Sequence, residues 1–82
     1  MEITLLAKAQ NTQNRTVIHF YNDGCYYIIK LAKILIGSYD ERLFWDFEKA
    51  NAFFDSMCQA FSADDIQYTS AYEELKKVYS KS

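Results

Sequence analysis

The residues of this chain whose chemistry can carry a reaction or hold a metal are few: His19, Cys25, Cys58 and two pairs of adjacent acids, Asp40-Glu41 and Asp64-Asp65. A histidine acting as general base needs an orienting carboxylate or a nucleophile within reach. No such partner stands at a diagnostic spacing from His19, which sits in the β-branched and aromatic run Thr16 to Tyr21. Zinc sites bring ligands in close pairs such as Cys-x-x-Cys, whereas Cys25 and Cys58 are far apart, and Cys58 follows Met57 in an amphipathic run where packing explains it. Paired acids divide acid and base roles only where their environments pull the pKa values apart. In polar stretches such as these, adjacent acids stay solvated and serve as helix starts. Two isolated glycines, Gly24 and Gly37, make no phosphate-cradling loop. The expectation is a protein without catalytic residues, cofactor or metal; a hydrolase or nuclease built on His19 would lose its activity in His19→Ala.

Against this scarcity stand seven tyrosines, six phenylalanines and Trp45 in 82 residues. Aromatics supply buried area and contact surface, and Tyr and Trp are enriched at interfaces because each joins an apolar body to a polar tip. Eighty-two residues make one domain, residues 1–82. A chain of this size buries only about 60–65% of its unfolded surface, so its stability margin is thin. Hydrophobic residues at 50% compensate in part, since each buried Phe or Leu contributes roughly 1.5–3 kcal/mol. A net charge of −2 is wrong for nonspecific duplex binding, which draws on many Lys and Arg contacts to phosphate, and too weak for a mimic of nucleic acid. No apolar run approaches the ~20 residues of a membrane span, and Met1-Glu2-Ile3-Thr4 lacks the basic start of a secretory signal. The cysteines then read as reduced, and the expected location is the cytoplasm.

The elements that would position these residues follow from periodicity. From Ile3, apolar Ile3, Leu5, Ala7 and Ala9 alternate with polar neighbours, Leu6 excepted, which reads as a strand. Asn11 to Asn14 is a polar turn, and Thr16 to Tyr21 a second strand. Asn22-Asp23-Gly24 is the clearest hairpin signal, with a third strand from Cys25. The end of that strand stays open, because Ile28, Leu31, Ala32, Leu35 and Ile36 also fit a helical stripe stopped by Gly37. One helix from Tyr39 to Phe61, opened by the Ser38 and Glu41 capping-box spacing, competes with a short strand, Arg42 to Trp45, followed by an Asp46-capped helix from Phe47 to Phe61. Leu-Phe-Trp favours a strand and Asp is a strong N-cap, so the second reading is preferred. Ser62 to Asp65 interrupts. Ser70 and Glu73 then open a last helix, with Lys76, Lys77 and Lys81 complementing its dipole. The sum is an α+β domain: an antiparallel sheet of three to four strands followed by two helices packed on one face.

If Ile18 and Phe20 face the helices, Val17, His19 and Tyr21 point the other way, and the third strand is apolar on both faces. Two helices cover one sheet face, so apolar residues are left on the other, and exposed apolar patches mark interaction sites. Stacking of RNA bases on such a face would need the βαββαβ order and basic neighbours of an RRM; neither is present, and direct nucleic-acid binding is not expected.

In general form the chain resembles the small anti-CRISPR and other anti-defence inhibitors of phages and mobile elements. The features are its length, the absence of a catalytic motif, scattered acids and the strand-to-helix run Arg42-Leu43-Phe44-Trp45-Asp46-Phe47-Glu48-Lys49-Ala50. The resemblance implies a cofactor-free protein that blocks a CRISPR effector or other defence complex by occluding its surface. Tyr26, Tyr39 and Trp45 are the expected anchors, since hot spots favour Tyr, Trp and Arg, with Asp40, Glu41 and Arg42 as a charged rim in the loop before Trp45. The alternative is a self-associating or accessory subunit, an antitoxin-like partner included, whose apolar sheet face closes a homodimer.

Overall fold

The alternation that begins at Ile3 becomes strand β1 (Thr4–Asn11), and the residue that breaks it, Leu6, is a β-bulge in the computed structural model, which describes residues 2–80. Against β2 (Thr16–Asn22) the register runs Leu5↔Tyr21 and then Ala7↔Phe20, so Leu6 is the extra residue. A bulge lets consecutive residues face one side, and Leu6 and Ala7 are both buried. The Leu6 carbonyl, displaced from the ladder, accepts hydrogen bonds from the Thr69 amide at 3.0 Å and the Thr69 hydroxyl at 3.0 Å.

β2 leads into β3 (Tyr27–Lys33) through a loop longer than the tight Asp-Gly turn and the Cys25 start expected. The Asp23 carboxylate accepts the amides of Cys25 and Tyr26 at 2.9 and 2.7 Å and holds both out of the ladder, while Gly24 supplies φ +95°. These bonds also hold the Asp23 carboxyl below its ordinary pKa. β3 stops at a 3-10 turn, Ile34–Ile36, closed by Gly37 at φ 67°. The chain then returns as β4 (Ser38–Phe44), which pairs with β3 along its whole length. The strand is thus longer than the expected Arg42 to Trp45 and ends before the tryptophan; the Ser38 and Glu41 spacing caps nothing.

Asp46 accepts the Lys49 amide at 3.3 Å and starts α1 (Phe47–Ala60), one residue shorter than expected. Its end is a Schellman motif: Ala63 N–H bonds the Cys58 carbonyl at 2.9 Å and Ser62 N–H bonds Gln59 at 3.2 Å, with Ser62 left-handed at φ 51°. Next comes a fifth strand, β5 (Asp65–Tyr68), where the sequence shows only a break between helices. Four residues are too few to display a period, and Ile66 and Tyr68 become strand because the outer edge of β1 offers Ala9 and Ala7 as partners. Thr69, not Ser70, caps α2 (Ser70–Ser80): its hydroxyl accepts the Tyr72 amide at 3.4 Å. Lys77 lies in the last turn of α2, and Lys81 lies outside the described residues.

The result is α+β: one antiparallel sheet in the order β4-β3-β2-β1-β5 with both helices on the same face. Phe20, fully buried, is the hub, its ring 5.4 Å from Phe54, 6.0 Å from Phe47 and 6.4 Å from Tyr72. No helix among the described residues is long and apolar enough to cross a membrane. Urea titration should find Phe20→Ala destabilised by about 3–5 kcal/mol, since truncating a buried Phe adds a cavity to the lost transfer energy. Ser62→Gly, which relieves the left-handed strain, should raise stability by roughly 0.5–1 kcal/mol.

Candidate interaction surface

The cross-strand register settles which residues share the face that no helix covers. Its central row is polar: Glu41, Lys30, His19, Lys8 and Gln67 stand side by side across the five strands, three of them charged. One flanking row is apolar, Leu43-Ile28-Tyr21-Leu5, and the other carries Tyr39, Ala32 and Val17. Val17, His19 and Tyr21 do therefore point away from the buried Ile18 and Phe20. Leu43 and Tyr39 are 57% and 61% exposed.

Lys30 organises the middle of this face. Its ammonium lies 3.7 Å from the Glu41 carboxylate and 5.4 Å from the centroid of Tyr21, which in turn stacks on His19 at 5.6 Å. The Tyr39 hydroxyl donates to the same Glu41 carboxylate at 3.2 Å. An exposed ion pair is worth about 0–1 kcal/mol, so its role is to fix side-chain positions rather than to hold the fold. His19 is half-buried, and its pKa is lowered by partial burial first, then by the positive charges of Lys8 and Lys30. That setting favours neutral imidazole beside two cations.

The six expected contact residues fall into three places. Tyr39 and Glu41 lie on the open face. Asp40 and Arg42 alternate to the helix side, where the Arg42 guanidinium sits over Phe53 at 5.4 Å and the Asp40 carboxylate accepts the Glu41 amide at 2.9 Å. They form no loop rim, because residues 38–44 are a strand and a strand sends neighbours to opposite faces. Tyr26 and Trp45 follow next in the β3–β4 register and meet ring to ring at 4.4 Å, with Trp45 76% exposed. This corner and Tyr39 are separated along β4 by about 20 Å at the usual strand rise. The sequence reading missed Leu43 and Lys30, which alternation along β4 and β3 could have found. It also missed the exposed tip Ile34–Ile36, whose Ile36 is 73% exposed.

The groups singled out for chemistry stay apart. Among the described residues no cluster of His, Cys, Asp and Glu could hold a metal ion. Both cysteines are free; burial first, then Asp55, pushes the Cys58 thiol up to about 11, while Cys25 is exposed. The Asp64 carboxylate accepts the Thr12 hydroxyl at 2.7 Å and the Asp65 carboxylate accepts from Gln10 at 2.9 Å, so this acid pair ties β5 to the first hairpin. A shallow cleft of about 370 Å³ beside α2 is lined by Leu6, Tyr27, Leu75 and Val78, with Glu74 its one carboxylate.

No family model matches this chain, and comparisons with curated proteins and with solved structures likewise return no match.

A depressed histidine pKa means the unfolded chain binds the proton more readily. The stability due to neutral His19 is present above its ordinary value of 6.5 and is lost as pH falls below it. Wild type should therefore lose more stability than His19→Gln between pH 7.5 and 5.5, read by urea midpoints at each pH. Thiol titration of the native protein should label Cys25 promptly and Cys58 only on unfolding.

Proposed function

We propose that this protein is a non-enzymatic protein-binding module that works as an anti-defence inhibitor of the anti-CRISPR kind, seating a target protein on the open face of its sheet. One observation carries the reading: no layer among the described residues covers this five-stranded face, which presents Tyr39, Leu43, Ile28 and Tyr21 around the Lys30–Glu41 pair. Apolar anchors ringing a polar centre match the composition of protein–protein contact surfaces. The Tyr26–Trp45 corner extends this surface and offers the large, rigid side chain that dominates binding energy at such sites. Occlusion asks nothing of the protein beyond shape and adhesion, which suits a chain with acids engaged in turns and a histidine set among cations. The self-associating reading would close the same open face against a second copy of the chain.

The test is inhibition of DNA cleavage by purified, guide-loaded CRISPR effectors, with binding followed by interferometry. Wild type should inhibit one effector class. Trp45→Ala and Leu43→Lys should each weaken binding by about 30-fold or more, while both variants keep the wild-type urea midpoint within about 0.5 kcal/mol because both sites are exposed. Absence of inhibition across the panel sinks the anti-CRISPR reading. A Trp45→Ala variant that unfolds removes the corner from the surface.

A further inference from the structure

The edge strand β4 has seven residues and, among the described residues, is bonded to a neighbouring strand on one side only. The opposite edge, β5, has four residues. Edges of this kind template pairing with another strand unless something blocks them. Half of the exposed large aliphatic and aromatic side chains lie along this margin: Ile34, Leu35 and Ile36 at one end, Tyr39 and Leu43 within it, Trp45 at the other. An isolated domain gains nothing from placing them together.

We propose that β4 pairs antiparallel with β4 of a second copy of this chain, about a two-fold axis at Glu41, joining two sheets into one of ten strands. The inference goes beyond the open-face reading, since it concerns the edge and not the face. The sequence of β4 singles out the register. Residues directly opposite in an antiparallel pair share a face, so the axis must fall on a residue. With the axis at Glu41, Asp40 of each copy stands opposite Arg42 of the other, two opposite-charge pairs on the helix side. An axis at Asp40 or at Arg42 instead sets like charges against each other, which destabilises a ladder. The remaining like pair, Glu41 against Glu41, carries its own counter-ion, because Lys30 already lies 3.7 Å from that carboxylate. Tyr39 then faces Leu43 of the second copy on the open side, and Trp45 comes beside the Ile34–Ile36 turn. Every exposed apolar group of the margin acquires a neighbour.

The backbone is prepared for this. The Glu41 amide is bonded by the Asp40 carboxylate at 2.9 Å, which identifies it as one of the outward-pointing edge donors. On pairing, that amide donates to the Glu41 carbonyl of the second copy, and the released Asp40 carboxylate accepts from the opposing Arg42 guanidinium. One charge-assisted bond is exchanged for another, so Asp40 caps the edge in the monomer and clamps it in the dimer.

Sedimentation equilibrium of the purified full chain at about 100 μM, a range chosen for micromolar association, tests this. Wild type should sediment at twice the chain mass of 9.6 kDa. Asp40→Arg alone and Arg42→Asp alone should each weaken association about tenfold or more, with circular dichroism reporting an unchanged fold. An equimolar mixture of the two single variants should recover the dimer, because each then meets the opposite charge, and the double variant Asp40→Arg/Arg42→Asp should recover it by itself. A monomeric wild type overturns the proposal, as does a dimer that no charge change disturbs, or single variants that mixing fails to rescue. A chain monomeric throughout that still binds a target through Leu43 and Trp45 overturns the edge dimer and leaves the open-face reading standing.

Discussion

Everything in this fold depends on α1 lying along one face of the sheet. β4 and β5 are opposite edges of the sheet, and the only element between them in sequence is α1. The helix runs back along β4 and β3: Phe53 meets Phe44 at 5.3 Å, Met57 lies beside Ile29 and Leu31, and the Lys33 ammonium sits 4.8 Å from the Phe61 ring. Its 14 residues, about 21 Å, match the length of the seven-residue strands beneath. Lying there, it packs Phe47, Ala50, Phe54 and Cys58 into the core around Phe20, and its end is tied to Asn11 at the end of β1. α2 then packs on the same side, with Tyr72 and Tyr79 both reaching the Phe47 ring. One hydrophobic layer is complete, and among the described residues no element packs on the other face.

The energetic logic is that of a small domain with a single-sided core. The buried cluster is dense in aromatics because few residues must supply much apolar area. Polar groups at the ends of the elements are used to pin the layers together. Asn11 accepts two turn amides at 2.9 and 3.2 Å and donates to the carbonyls of Phe61 and Ser62, tying the first hairpin to the end of α1. Thr69 grips the bulged segment of β1 from the start of α2. No buried side-chain polar atom among the described residues lacks a partner. The polar residues that sequence inspection first weighs as chemistry, Asp64 and Asp65 above all, are consumed in this pinning.

The open face differs in kind from the core. Its polar row runs through the middle of an apolar surface, so no single contact there resembles a folding contact, and its apolar residues keep half or more of their surface where they lie on β4. The edge strand beside it carries both signs of charge in the consecutive run Asp40, Glu41 and Arg42, flanked by Tyr39 and Leu43.

Much of the architecture was legible in the chain because it is local. The two hairpins, the helix beginning at Phe47 after Asp46, the second helix and the opposite orientation of Ile18 and His19 all follow from alternation, turn chemistry and capping. The break at Leu6 was visible as an irregularity, although only the partner strand makes it a bulge. β5 was not legible, since Asp65–Tyr68 is strand solely because β1 has a free edge for it. Nor was the division of Asp40, Glu41 and Arg42 between two faces, which follows from the extent of β4 and hence from how far β3 offers it hydrogen bonds. The sequence by itself determined the class of the fold and the supply of aromatics, because both are written in short-range periodicity. Which aromatics are core, as Phe20 and Tyr72 are, and which stand in solvent, as Trp45 and Tyr39 do, was decided by the tertiary structure, because helices packed on one face of the sheet can bury only that side of it.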